Sequence, residues 1–121
     1  MRRQVHGAAH VDRAWQAAQA DPHEAALQTL VTEAAWGRIW SRPDLPAPTR
    51  SLVVIAMLMA LGRTHELDRH IRSAVLRNGC TMAQVKELAL TAAAYAGIPA
   101  GVDAMALAKR IEAELTTTDT A

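Results

Sequence analysis

An acidic and an imidazole side chain stand four positions apart in the middle of the chain, at Glu66 and His70. On a helix, residues four apart lie on the same face, about one turn from each other. A carboxylate in that position can fix the tautomer of the imidazole or pass a proton to it, so the pair could form a proton relay. An exposed ion pair on a solvated helix is the alternative that spacing alone leaves open.

The neighbouring His65 does not turn this pair into a metal site. A zincin motif needs two histidines four apart around a glutamate. His65 and His70 are five apart and point about 140° away from one another on a helical wheel. Cys80 is the single cysteine of the chain, so neither a structural zinc site nor an intrachain disulfide is predicted. We interpret Cys80 as a small apolar core residue.

Two arginines flank the most apolar stretch of the chain, Arg50 before it and Arg63 after it. A guanidinium can hold a carboxylate through two parallel N–H groups, and ordinary surface charge is the alternative. Trp36 and Trp40 share a helical face and fit a core or a subunit interface as well as a ligand site. Tyr95 precedes a helix end, where its hydroxyl faces either a cavity or water.

Helix-start and helix-stop signals recur along the chain, and no stretch alternates apolar and polar residues at strand period. We therefore predict an all-α bundle of about six helices in a single domain, residues 1–121. A mobile N-terminal segment is expected over residues 1–10 and a frayed tail over residues 116–121. The N-caps are expected at Asp21, Thr49, Thr64 and Thr81, the last in a capping box with Gln84. A first helix is expected to begin at Val11, and a last helix is expected from Pro99 to about Leu115. Between them, helices are expected over residues 22–40, 50–61, 65–77 and 82–96.

Composition narrows the class of protein. Half of the residues are hydrophobic, but only 3% are aromatic and phenylalanine is absent, so an alanine-rich core buries little area per residue. Contacts with partner subunits are therefore expected to bury additional apolar surface. The net charge of +1 gives no electrostatic footprint for nucleic acid. The longest apolar run is about half of a membrane span, and no signal peptide is evident, so we expect a cytoplasmic protein that does not bind membranes.

Several blocks of sequence, in this order, resemble the carboxymuconolactone decarboxylase family. They read WGRIWSRP at 36–43, TRSLVVIAM at 49–57, ELDRH at 66–70 and YAGIPA at 95–100, with HVDR at 10–13 as an N-terminal block. The resemblance spans residues 10–115. It implies an AhpD-like helical bundle, because the family includes the AhpD-type alkylhydroperoxidases.

Those peroxidases carry a Cys-x-x-Cys followed by a histidine. With the histidines aligned, Arg63 and Glu66 stand where the two cysteines would be, and Ser51 stands where the peroxidases have a glutamate. Thiol peroxidase chemistry is therefore not available to this chain. The resemblance thus favours the decarboxylase branch of the family.

The decarboxylase branch implies a reaction. A lactone dicarboxylate, 4-carboxymuconolactone, would lose CO₂ to give the β-ketoadipate enol-lactone in protocatechuate catabolism. The conjugated lactone would accept the electron pair, so the resemblance implies neither a metal nor an organic cofactor. It also implies a homo-oligomer, usually a hexamer built as a trimer of dimers, with active sites near subunit contacts.

The resemblance further implies roles for the residues singled out above. His70 and Glu66 would be the catalytic pair, and Arg50 and Arg63 would hold carboxylates. The remaining substrate-binding residues would be Ser51, Trp36 and Tyr95. Two alternatives stay open: a homologue that decarboxylates another lactone or a β-keto acid, and a non-catalytic helical oligomer with no cavity around Glu66 and His70. A thiol-dependent peroxidase ranks third, and peroxide consumption lost in Cys80→Ser would support it.

Overall fold

The computed structural model describes residues 1–120, with side chains to Thr117, and within that range it is helical without any strand. The predicted all-α class is confirmed. Contacts divide the chain into two compact units, Met1–Ala47 and Pro48–Ala121, so a single domain over residues 1–121 stays a prediction. The helices are α1 (Arg2–His6), α2 (Ala8–Ala18), α3 (Pro22–Val31), α4 (Ala47–Leu61), α5 (Thr64–Arg77), α6 (Met82–Tyr95) and α7 (Ile98–Thr120), with a π-helical segment, Thr32–Ile39, directly after α3.

The N-terminal unit contains more helix than the sequence predicts. Residues 2–10, expected to be mobile, form α1 and the first turn of α2, and Gly7 separates the two helices with a φ of 88°. That backbone angle favours glycine. No cap residue marks the five-residue α1, which is why sequence signals missed it; its Val5 side chain is buried.

The start of α3 follows its predicted signal. Asp21 caps the helix, because its Oδ1 accepts a hydrogen bond from the backbone N–H of His23 at 2.8 Å, and Pro22 fills the first helical position. The predicted helix over residues 22–40 is present, but its backbone changes to the π form from Thr32 onward.

Two other predicted caps are wrong. Thr49 lies inside α4, which begins at Ala47 because a helix accepts Pro48 in its first turn. Thr64 is the first residue of α5, and the N-cap there is Arg63, without a side-chain cap. The capping box of Thr81 with Gln84 is confirmed, with both reciprocal hydrogen bonds formed, at 2.9 and 3.1 Å.

The last helix also differs from its predicted end. α7 continues to Thr120, five residues beyond Leu115. The hydroxyls of Thr116 and Thr117 donate to backbone carbonyls one turn earlier, at 2.9 Å each, which keeps these threonines compatible with a helix. The part of the predicted frayed tail at Ala121 lies outside the described residues.

The core of the C-terminal unit is built from small and branched side chains. α6 and α7 approach so closely that a Cβ atom on Gly101 would lie 2.4 Å from the Cβ of Ala93 and 2.7 Å from the carbonyl oxygen of Ala89. The buried side chains of this core are Ile55, Met59, Leu67, Ile71, Ala74, Cys80, Val85, Ala89, Ala92, Ala104, Leu107, Ala108 and Ile111.

The sequence of helix α4 is apolar on every face, a pattern that is typical of a central, buried helix. In the structure only Ser51, Ile55 and Met59 on this helix are buried. Met57 and Leu61 expose 58% and 69% of their surface. One face of α4 is therefore open in the single chain. No helix among the described residues has the length and apolar character needed to cross a membrane.

Ion pairs fasten α7 to its neighbours. Arg72 on α5 donates to Asp68 through Nε at 2.7 Å and also pairs with Glu114 on α7. These hydrogen bonds raise the pKa of Arg72. Lys86 on α6 pairs with Glu112 on α7 at 2.7 Å. The framework that carries Glu66 and His70 is thus connected to the last helix.

Candidate active site

Helix α5 places Glu66 in its first turn and His70 one turn later. A carboxylate is favoured at that end of a helix by the macrodipole. Glu66 is exposed, whereas His70 is half-buried and adjoins the buried Ile71. The pair therefore spans the border between solvent and the packed interior of the C-terminal unit.

The partly buried position of His70 determines its charge state. Burial, and to a smaller extent the positive charge of Arg69, together lower the pKa of His70 to about 4, although the negative charge of Glu66 acts in the opposite direction. His70 is therefore neutral near pH 7. The surface ion pair that spacing left open would need a protonated imidazole, which this pKa excludes at neutral pH. A neutral imidazole presents one N–H donor and one acceptor nitrogen.

The adjacent His65 is engaged elsewhere. Its Nε2 lies 3.3 Å from a guanidinium nitrogen of Arg69, one turn along the exposed side of α5. Among the described residues, no group of three or more histidine, cysteine, aspartate or glutamate side chains is placed to hold a metal ion.

The two arginines differ in their surroundings. Arg63 is exposed and forms the N-cap of α5, so it lies at the same end of the helix as Glu66. Arg50 lies in the first part of α4 and is half-buried; its Nε atom is fully covered, with no hydrogen-bond acceptor in the described part of the chain. A covered guanidinium N–H without an acceptor carries a desolvation cost, which a hydrogen-bond acceptor placed beside it would offset.

Ser51 and Tyr95 occupy opposite extremes of exposure. Ser51 is 1% exposed, and its Oγ accepts a hydrogen bond of 3.2 Å from Nδ2 of Asn78. Tyr95 is 91% exposed, so its hydroxyl faces water in the single chain. Asn78 directly follows the helix predicted over residues 65–77, and no local pattern could have revealed its partner 27 residues earlier.

Trp36 belongs to an aromatic cluster in the N-terminal unit. Its ring stacks on Trp40 with centroids 5.0 Å apart and meets the ring of His6 edge-on at 5.1 Å. Trp36 also lines a cavity of about 440 Å³ within this unit, together with Arg2 and Trp15. The role of Trp36 in substrate binding stays a prediction.

A second cavity lies within the C-terminal unit, beside the first turn of α5. It holds about 60 Å³ and is lined in part by Thr64, Leu67 and Asp103. A water molecule occupies roughly 30 Å³ of liquid, so this cavity has space for about two waters. A lactone dicarboxylate needs a larger enclosure than this.

Comparisons with known proteins identify the family of this chain. The family model described as "Carboxymuconolactone decarboxylase family" matches residues 25–110. The chain is 43% identical over 115 residues to a 4-carboxymuconolactone decarboxylase of Acinetobacter baylyi, covering 95% of this chain and 84% of the relative. It is 34% identical over 110 residues to a nitrosuccinic acid decarboxylase of Metarhizium robertsii, covering 91% and 75%. The chain therefore belongs to the carboxymuconolactone decarboxylase family.

Proposed function

We propose that this protein is a carboxy-lyase that converts 4-carboxymuconolactone to the β-ketoadipate enol-lactone in the catabolism of aromatic compounds. The observation that carries the proposal is the 43% identity, over 95% of this chain, to a relative that bears the name of that activity. Arg63 and Glu66 at the positions where the peroxidases have cysteines agree with it.

The reaction divides into two steps. The bond between the ring carbon and the carboxylate breaks, CO₂ leaves, and the electron pair passes through the conjugated double bond to the lactone carbonyl oxygen. The resulting dienolate then takes a proton on carbon. The lactone itself accepts the electrons, so the proposed reaction uses neither a metal nor an organic cofactor.

The neutral state of His70 supports a specific role. With a pKa of about 4, it is a poor source of an imidazolium proton near pH 7, but its N–H can donate a hydrogen bond to the dienolate oxygen. Glu66, one turn away and exposed, can take a proton from solvent and pass it to the carbon. His70 would thus stabilise the developing oxyanion while Glu66 completes the reaction.

The arginines would hold the carboxylates of the substrate. Arg50 is the stronger candidate, because its covered Nε lacks an acceptor among the described side chains. The exposed Arg63 lies at the end of α5 that carries Glu66 and could bind a second carboxylate. Ser51, Trp36 and Tyr95 remain candidate substrate contacts.

We also propose that the protein assembles into a homo-oligomer, a hexamer arranged as a trimer of dimers, in the cytoplasm. Large apolar side chains exposed in the single chain support assembly. The small size of the cavity beside α5 is consistent with a substrate site that a second subunit completes. Light scattering on the purified protein measures the assembly directly. The exposed apolar side chains on α4 and around the start of α7 are Val53, Met57, Leu61, Tyr95, Ile98 and Val102.

The test of the activity is spectrophotometric decarboxylation of 4-carboxymuconolactone by purified protein, with release of CO₂ measured in parallel. Turnover of one CO₂ per lactone consumed supports the proposal. An assembled protein that leaves the lactone unchanged would overturn it and would favour a non-catalytic helical oligomer. Peroxide consumption that disappears in Cys80→Ser would instead indicate a thiol peroxidase.

A second candidate function is decarboxylation of a different activated acid. The 34% identity to a nitrosuccinic acid decarboxylase favours it, because nitrosuccinic acid is also a dicarboxylate with an electron-withdrawing group. Comparing kcat/KM for the two compounds decides between them. A higher value for nitrosuccinate than for the lactone would replace the first proposal by the second.

A further inference from the structure

The loop that follows α5 holds the first turns of α4 through two separate contacts. The first is the hydrogen bond from Nδ2 of Asn78 to Oγ of Ser51, at 3.2 Å. Both side chains are buried, at 8% and 1% exposure. A hydrogen bond between buried partners is costly to remove, because the remaining group is left unsatisfied. The bond therefore fixes the backbone at Ser51 relative to the loop.

The second contact lies on the other side of Arg50. The thiol of Cys80 is 3.4 Å from the backbone oxygen of Pro48. Burial raises the pKa of this thiol, so it remains protonated and can donate to that oxygen. Cys80 thus acts as a buried donor within the loop. The two contacts hold α4 at Pro48 and at Ser51, two residues before and one residue after Arg50.

Arg50 itself presents a covered Nε without an acceptor among the side chains that the structure describes. An arginine whose backbone is held on both sides loses less freedom when it binds a carboxylate, and preorganisation of this kind strengthens binding. None of the loop residues needs to touch the ligand to have this effect.

We propose that Asn78 is a positioning residue for Arg50: through Ser51, it holds the guanidinium in the place where it binds a substrate carboxylate. This inference rests on the proposed function for the identity of the substrate. Asn78 acts on binding rather than on the loss of CO₂, and its effect therefore belongs in KM more than in kcat.

The test compares Asn78→Ala with a matched control, Ser73→Ala, which truncates another buried polar side chain of the same unit. If Asn78 keeps Arg50 preorganised, loss of that preorganisation for one side chain predicts a rise of about tenfold in KM for 4-carboxymuconolactone in Asn78→Ala, with kcat within about threefold of the parent. Ser73→Ala is expected to leave KM unchanged. An unchanged KM in Asn78→Ala, or an equal rise in both variants, would overturn the proposal.

A double-mutant cycle tests whether Asn78 affects KM through its hydrogen bond to Ser51. If Asn78 acts through the hydroxyl of Ser51, adding Asn78→Ala to Ser51→Ala produces no further rise in KM. Independent, multiplying effects would show that Asn78 acts by another route and would contradict the inference. If Asn78→Ala fails to fold, Ser51→Ala removes the same hydrogen bond by a milder change. Its effect is then measured on the NMR signal of the Arg50 Nε–H without substrate, because Ser51 is itself a candidate substrate contact.

A second measurement needs no turnover. The Nε–H signal of Arg50 in a protein labelled with ¹⁵N-arginine can be assigned by its loss in Arg50→Lys. We expect this signal to shift or broaden in Asn78→Ala and to stay in place in Ser73→Ala. If the parent protein does not decarboxylate the lactone, the proposed function fails, while a shift of this signal still supports the positioning role. A signal unaffected by Asn78→Ala would overturn that role even in an active enzyme.

Discussion

The features that usually identify an active site are distributed over both units of this chain and do not occur together in one of them. The N-terminal unit contains the larger of the two cavities described above and the stacked tryptophans, Trp36 and Trp40. The C-terminal unit contains a cavity of only about 60 Å³, but it also holds the imidazole whose pKa is strongly lowered. Altered titration points to chemistry more directly than cavity volume does, because a reaction depends on the protonation state of the group that carries it.

The largest expected effect tests this comparison directly. In the proposed reaction, His70→Ala removes the hydrogen-bond donor to the dienolate and lowers kcat by about 10²-fold or more. Trp36→Phe keeps an aromatic ring in the N-terminal unit and is expected to change kcat by less than about threefold. Steady-state rates of assembled proteins check both. A near-normal kcat in His70→Ala would remove His70 from the mechanism.

The next prediction compares one glycine from each unit. Gly101→Ala places a Cβ within 2.4 Å of Ala93, so α6 and α7 must separate, and we expect a loss of about 2 to 3 kcal/mol in the free energy of unfolding. A Cβ on Gly37 would meet its nearest atom at an ordinary 3.4 Å. Gly37→Ala should therefore be neutral or slightly stabilising. Urea unfolding measures both, and equal losses would contradict the close packing of α6 on α7.

The lowered pKa of His70 predicts a dependence of stability on pH. Between its ordinary value of 6.5 and about 4, the unfolded chain binds a proton on this imidazole that the folded chain does not. Stability is therefore lost as the pH falls through that range. At pH 4.5 the parent should lose about 2 kcal/mol more than His70→Gln does, relative to pH 7.5.

His23 provides the control in the other unit, because its side chain is fully exposed. His23→Gln should lose stability on acidification as the parent does. Urea midpoints at the two pH values give the comparison. Equal acid sensitivity of the parent and His70→Gln would show that His70 is not held neutral by burial.

The smallest expected effect concerns ion pairs. Glu114→Gln removes one partner of Arg72, whose other contact, with Asp68, remains, and should cost about 0.5 kcal/mol. Asp12→Asn removes the more exposed pair with Arg3 in the N-terminal unit and should cost about 0.2 kcal/mol or less. Unfolding at low and high salt checks the order, since added salt should reduce the first difference.

Local signals predicted much of the fold because they act within a few residues. The cap at Asp21, the capping box at Thr81 and the end of α5 at Arg77 all follow from neighbouring side chains. Thr49 and Thr64 carry the same kind of signal, but each lies within a helix that begins at or before it. The π form of Thr32–Ile39 has no comparable signature in composition.

Long-range contacts decided what local signals could not. The sequence indicated that α4 is apolar all round, but only packing within the C-terminal unit selected Ile55 and Met59 as buried and left Met57 open. Burial depends on which elements meet, and propensity does not contain that information. The hydrogen bond between Ser51 and Asn78 could not be predicted from local signals for the same reason, because the two residues are distant in sequence.

The sequence by itself determined that Glu66 and His70 share one face of a helix, since the helical period fixes residues four apart, and it determined the family through blocks of matching residues. Only the tertiary structure decided that His70 is neutral and that Nε of Arg50 is covered. Both properties depend on desolvation, and desolvation is produced by side chains that reach the site from elsewhere in the fold.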